Sequence, residues 1–248
     1  MVEYEGLLAE TVVFAGHGDD DVSGYLARPL GAGPFPGVIV IHEVFGLVPH
    51  IKEIALKFAS RGYVAIAPDL HYREGPGDVD DIASSVRAAG GVPDERCIGD
   101  VEGALRLLRS LPYCTGRVGV IGYCSGGRQT YVVACNVPGI EAAVDCYGGR
   151  VVAGPADLNA RQPKAPIDMT EGLQCPLLGL FGAEDTSPSP EQVAQIEQEL
   201  VRHGKTYEFH VYDDAGHGFF ADYRPSYSPE AAVDGWERVF SWFAKNLY

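Results

Sequence analysis

Six short apolar runs recur along the chain, and the pattern between them constrains the fold more than any other feature. They are Val38-Ile39-Val40-Ile41, Tyr63-Val64-Ala65-Ile66, Val118-Gly119-Val120-Ile121, Ala142-Ala143-Val144, Leu177-Leu178-Gly179-Leu180-Phe181 and Tyr207-Glu208-Phe209-His210-Val211. The first five are continuous rather than alternating, as expected of strands covered on both faces of a parallel sheet. Helical patterns separate them. Val101, Leu105 and Leu108 fall at i, i+4, i+7, and Val193, Ile196 and Leu200 at i, i+3, i+7. Ala232, Trp236, Val239, Phe240 and Phe243 make a longer face. Ser189-Pro190-Glu191-Gln192 predicts a helix start with an N-cap serine, a proline in the first turn and a glutamine closing a capping box. Ser228-Pro229 is expected to open the last helix in the same manner, and Gly204 to close the one before it.

Strand and helix in alternation predict an α/β chain: a mostly parallel central sheet with helices on both faces. An N-terminal antiparallel hairpin precedes it, with strands near 9–14 and 22–27 and a solvated turn at Gly18-Asp19-Asp20-Asp21. Residues 148–174 carry prolines at 155, 163 and 166 and read as an excursion at the sheet edge rather than a linker, so 1–248 is expected to form one domain.

Composition narrows the function. With 46% hydrophobic residues the chain can bury a full core, and its formal net charge of −15 repels nucleic acid and anionic membrane alike. A small anionic substrate stays open, because locally placed arginines override the global field. No apolar run reaches the roughly 18 residues needed to span a bilayer. The opening MVEYEGLLAE carries acids where a signal peptide needs a basic start. Six scattered cysteines without a C-x-x-C pair suggest reduced cytoplasmic thiols, not a disulfide framework or zinc site. Neither a metal nor a cofactor is expected, and the chain is expected to act as a monomer or homodimer.

Reactive groups in such sheets gather beyond the carboxyl ends of the strands. There the chain places His42, Glu43 and Val44; Asp69, His71, Tyr72 and Arg73; Asp145, Tyr147 and Arg150; Glu184 and Asp185; and Asp213, Asp214 and His217. After the third apolar run comes Gly122-Tyr123-Cys124-Ser125-Gly126-Gly127. This fits the small-x-nucleophile-x-small turn between strand and helix, whose flanking positions must be small for the two elements to approach. Centred on Cys124 those positions are Gly122 and Gly126; centred on Ser125 one of them is Tyr123, which would collide. Sterics therefore select Cys124 as nucleophile, and Ser125 becomes a backbone N–H donor at the helix start. Asp185 follows the next-to-last strand and His217 the last, giving the order nucleophile, acid, histidine. Glu184 is the alternative acid, whereas Asp213 and Asp214 lie on the histidine's own segment and are poorly placed to orient its ring.

Together these motifs resemble the dienelactone hydrolase (carboxymethylenebutenolidase) family of the α/β-hydrolase fold, over nearly the whole chain. The residues that carry the likeness are His42-Glu43-Val44-Phe45-Gly46, Ala67-Pro68-Asp69-Leu70, the stretch at 122–127, Phe181-Gly182-Ala183-Glu184-Asp185 and Ala215-Gly216-His217. The resemblance implies a Cys124–Asp185–His217 triad, an oxyanion hole from the N–H groups of Val44 and Ser125, and a Glu43 that interacts with the resting thiol. It implies a lactone or ester substrate, a thioacyl-enzyme and a role in aromatic catabolism; the alternatives are a broader carboxylesterase or thioesterase without dienelactone preference, and a non-catalytic relative that binds a small ligand. A thiol, ordinarily ionising at about 8.5, becomes a better nucleophile beside an imidazole at a helix N-terminus. As a good leaving group, a thiolate suits activated acyl groups such as enol esters. A substrate carboxylate would need cationic donors, for which Arg73, Arg87, Arg96 and Arg224 are candidates. The family's arginine just after the histidine is missing: Ala221 stands four residues on, and Arg224 seven. Tyr147, with Phe45, Tyr72 and Tyr123, is expected to wall the pocket.

Overall fold

Every residue of Phe35–Ile41 is buried, and alternate side chains leave it on opposite faces: Ile39 and Ile41 join one core, Val38 and Val40 another. This is why the run is continuous. In the computed structural model, which describes residues 6–248, eight strands follow in chain order: β1 (Leu7–Ala15), β2 (Asp21–Pro29), β3 (Phe35–Ile41), β4 (Val64–Pro68), β5 (Cys114–Tyr123), β6 (Ala142–Cys146), β7 (Leu177–Gly182) and β8 (Tyr207–Tyr212). They form one sheet in the order β1-β2-β4-β3-β5-β6-β7-β8. From β4 to β8 all neighbours are parallel, while β1 and β2 pair antiparallel as a hairpin and β2 pairs antiparallel with β4. The turn acids Asp19, Asp20 and Asp21 are exposed, as expected. The first five residues, where the acidic opening stretch begins, lie outside the described residues.

Six helices cover the sheet: α1 (Pro49–Ser60), α2 (Val79–Ala88), α3 (Asp94–Ser110), α4 (Ser125–Asn136), α5 (Pro190–Arg202) and α6 (Pro229–Leu247). The first core takes Val101, Leu105 and Leu108 from α3, Tyr131 and Val133 from α4, and Ile196 and Leu200 from α5. The second takes Ile51 and Phe58 from α1 with Val239 and Phe243 from α6. Helices therefore lie on both faces, the α/β-hydrolase architecture. The capping box at Ser189 forms, with Gln192 Oε1 accepting from Ser189 N at 3.0 Å. Gly204, at φ +61°, stands just past the end of α5. Ser228 does precede the last helix but makes no side-chain cap.

The irregular stretch after β6 departs from expectation. It leaves an interior strand, not the sheet edge, and crosses over α4, where Tyr131 and Thr170 hydroxyls bond at 2.7 Å. Among the described residues no helix is long and apolar enough to cross a membrane.

Candidate active site

Cys124 stands alone between β5 and α4 at φ 56°, ψ −118°, a conformation that non-glycine residues adopt only under constraint. The constraint is close packing. A Cβ on Gly122 would meet Gly126 O at 2.0 Å, and one on Gly126 would meet Ile41 O at 2.4 Å and His42 O at 2.6 Å. The two glycines thus let α4 come down against both β5 and the end of β3, and the turn lifts the thiol above the sheet. Cys124 O accepts from Gly127 N at 3.0 Å, so α4 starts at once and aims its N-terminus at the sulfur.

Around this elbow the carboxyl ends of β7 and β8 bring Asp185 and His217 together. His217 Nδ1 lies 2.8 Å from Asp185 Oδ2, whose other oxygen accepts from Ser187 N at 2.8 Å. Ser187 thereby fixes the carboxylate, and the carboxylate fixes the ring. Burial disfavours the His217 imidazolium, but the hydrogen bonds to Asp185 and Cys124 outweigh it and raise its pKa to about 10. Among the described residues it is Asp185, and not the alternative acid Glu184, that forms the ion pair with the ring. Tyr147 packs edge-on against the imidazole at 5.2 Å between ring centres.

The loop after β3 carries Val44. His42, fully buried, places its Nδ1 2.6 Å from Glu43 O, while its Nε2 accepts from Leu70 N at 3.0 Å. These bonds tie the ends of β3 and β4 and hold the tight turn that Gly46 closes at φ +78°. Val44 and Ser125 both line a cavity of about 390 Å³ with Cys124, Asp185 and His217. Among the described residues neither backbone N–H has an acceptor within the chain. Val44, Ser125 and the sulfur-bearing Cys124 therefore line one cavity. Among the described residues no cluster of three or more His, Cys, Asp or Glu side chains could hold a metal ion.

Glu43 is buried with its carboxylate on Arg224, at 2.6 and 3.3 Å, and not on the thiol. A two-pronged guanidinium is the stronger partner, and Cys124 bonds to His217 instead. Burial still raises the Glu43 pKa, with Arg224 and His217 opposing.

The arginine candidates separate. Only Arg87 lines the cavity; it lies over the Phe45 ring at 5.3 Å. Arg73 is drawn to Asp100 at 2.7 Å and Asp20 at 2.8 Å, so it fastens the hairpin turn to α3. Arg96 is held by Glu74 at 2.9 Å. Opposite charge supplied by the fold itself takes both away from the site. Arg224 serves Glu43. The aromatic expectations shift likewise. Tyr123 and Tyr147 are wholly buried behind the site, Tyr72 bonds Asp20 at 3.2 Å, and Phe45 faces a second cavity beyond Arg224.

Sequence reasoning missed several cavity residues. Arg128, Gln129 and Gln162 line it, and Arg128 makes a buried two-pronged pair with Asp94 at 2.6 and 3.1 Å. Their spacing carries no signal, because the excursion that brings Gln162 over α4 has no periodicity. Arg150, just after β6, lines the cavity too, at φ +62°. His71 is also there; burial, His42 and Arg96 together lower its pKa to about 3, which keeps the ring neutral.

A sequence profile described as "Dienelactone hydrolase family" matches residues 22–247. A Salmonella typhimurium protein provisionally named a carboxymethylenebutenolidase is 41% identical over 229 residues, spanning 91% of this chain and 83% of that one. A Bradyrhizobium protein provisionally named a 2-oxo-3-(5-oxofuran-2-ylidene)propanoate lactonase is 30% identical over 224 residues, 90% of this chain and 89% of its own. The crystal structure of a provisionally named dienelactone hydrolase from Klebsiella pneumoniae superposes with a TM-score of 0.89 at 34% identity, covering 97% of this chain and all of the other.

Proposed function

The chain belongs to the dienelactone hydrolase family and is a carboxylic ester hydrolase, and from that premise we propose that it opens an activated, carboxylate-bearing lactone or ester through a thioacyl-enzyme on Cys124. The observation that carries the reading is the meeting of Cys124, His217 and Asp185 at a strained elbow in one cavity. In the first half-reaction His217 takes the thiol proton and the sulfur attacks the acyl carbon. The carbonyl oxygen turns toward Val44 N–H and Ser125 N–H as its charge develops. The tetrahedral adduct collapses, the carbon–oxygen bond to the leaving group breaks, and an enol oxygen departs with the His217 proton. In the second half, His217 draws a proton from water, hydroxide adds to the thioester, the carbon–sulfur bond breaks, and the departing sulfur takes back the proton from His217 as the acid product leaves. Asp185 holds the ring and stabilises its charged form throughout.

An enol ester suits this site because its leaving oxygen competes with a good leaving sulfur, whereas an amide would mostly revert. Arg87 and Arg150 support an anionic substrate: both line the cavity, and among the described residues neither is paired with a carboxylate. The printed name of the Bradyrhizobium relative describes a lactone bearing such a group. Glu43 is assigned a gate on the thiol through its exchange between Arg224 and the sulfur, and its raised pKa supports a carboxyl able to take a proton. One continuous sheet supports a single catalytic domain over 1–248, and the six free cysteines support a cytoplasmic setting.

A panel of enol lactones and esters, each with and without a carboxylate, read as kcat/KM, tests the proposal. Carboxylate-bearing enol lactones should be preferred and Cys124→Ala should abolish turnover. Equal rates across the panel would favour a broad esterase, and turnover surviving in Cys124→Ala would reject the sulfur mechanism.

A further inference from the structure

The wall of the cavity along α4 holds polar groups that the hydrolytic chemistry does not use. Gln129 is 4% exposed and Gln162 is 5% exposed, and both line the cavity. The amide oxygen of each is buried without a partner among the described residues. Gln162 has its orientation set by the fold, because its Nε2 donates to Val92 O at 3.2 Å, which leaves the oxygen as the unused end. The Gln129 side chain makes no hydrogen bond with the rest of the described chain, so it offers both an amide N–H and a carbonyl oxygen. An unpaired buried amide is costly, and two in one cavity point to a ligand group that pairs with them.

The wall is built, not incidental. The 90–94 turn is clamped by Asn159 Nδ2 on Gly90 O at 3.2 Å, Arg161 Nη1 on Gly91 O at 3.2 Å, and Asp94 N on Arg161 O at 2.9 Å. The Arg128–Asp94 pair anchors α4 to the same turn.

Charge and hydrogen-bond polarity select the ligand group. A carboxylate only accepts and would face amide oxygens. An ammonium only donates and would meet Arg87, Arg128 and Arg150 in the same cavity. A neutral hydroxyl donates one bond and accepts another, matching the oxygen of Gln162 and the N–H of Gln129. Gln129 follows Ser125 by four residues on α4, a rise of about 6 Å from the elbow. We infer that Gln129 and Gln162 form a specificity subsite for a hydroxyl group on the acyl part of the substrate, about one helical turn from the scissile carbonyl. The inference rests on the acyl-binding reading of the cavity given above.

Binding to the full-length Cys124→Ala variant tests it without requiring turnover. The probes are methyl 3- and 4-hydroxybenzoate against methyl 3- and 4-methylbenzoate, matched in shape, with Kd read by calorimetry. A hydroxyl ester should bind about tenfold more tightly than its methyl counterpart, the effect of one or two hydrogen bonds. Gln129→Met on the same background should erase the difference, and because this side chain bonds nothing else in the described chain the variant should fold. Gln162→Met should weaken it as well. Pairs that bind alike or not at all, or a preference that survives in Gln129→Met, would overturn the subsite. If the hydroxyl preference holds but wild-type protein opens none of the enol lactones and esters of the panel above, the subsite stands and the catalytic reading falls.

Discussion

Replacing Asp185 by asparagine keeps the size of the side chain and removes its charge. His217 Nδ1 lies 2.8 Å from that carboxylate, which is held in turn by Ser187 N. Burial of the ring opposes its charge, so the rise from about 6.5 to about 10 depends on Asp185 and Cys124. At about 1.4 kcal/mol per pH unit the gap corresponds to somewhat under about 5 kcal/mol. The ring is 35% exposed, and screening by water reduces the share expected in stability to about 2 kcal/mol. The sign follows from the direction of the shift. A histidine raised on folding contributes its full stabilisation below about pH 6.5 and loses it as pH climbs through about 10. Wild-type protein should therefore exceed Asp185→Asn by about 2 kcal/mol near pH 6, with the margin shrinking toward about pH 10. Nitrogen-edited NMR of the labelled imidazole gives the direct readout. His217 should titrate near 10 in the wild type and well below it in the variant, while kcat/KM drops about 10³- to 10⁴-fold. A wild-type imidazole titrating near 6.5, or an unchanged titration in Asp185→Asn, would refute the reasoning.

Four further outcomes are expected. Gly126→Ala drives a Cβ to 2.4 Å from a backbone carbonyl that cannot yield, so urea denaturation should show a loss of about 3 kcal/mol or more. Gly77→Ala, whose Cβ would meet only Ile82 at 3.4 Å, should change little in the same assay. Arg128→Met leaves Asp94 buried without its partner, and the lost stability, read by chemical denaturation, should be about 3–5 kcal/mol. Glu43→Gln should speed alkylation of Cys124 by iodoacetamide if the carboxylate gates the thiol; an unchanged rate would reject the gate.

Much of the fold was legible because its signals are short in range. Strand runs, the capping box at Ser189 and the glycine at 204 each depend on a few consecutive residues and their local sterics. The elbow is of the same kind: Gly122 and Gly126 flank Cys124 because a Cβ at either place would strike backbone. Even the order Cys124, Asp185, His217 could be read, since strand ends in a parallel sheet converge on one edge.

Partnerships between distant charges could not be read this way. Arg73 stands at a strand's carboxyl end, yet Asp20, 53 residues away, and Asp100, 27 away, hold it. Glu43 meets Arg224 across 181 residues. Gln162 reaches the cavity only because an aperiodic excursion crosses α4 and bonds to Val92. By itself the sequence determined the scaffold, the tight elbow around Cys124 and the chain order of Cys124, Asp185 and His217, through backbone sterics and apolar periodicity that act within a few residues. Which arginines line the cavity, where Glu43 rests and which amides face that cavity were decided by the tertiary structure alone. Those choices turn on which charges and hydrogen-bonding groups packing brings within a few ångströms, and no spacing along the chain encodes that.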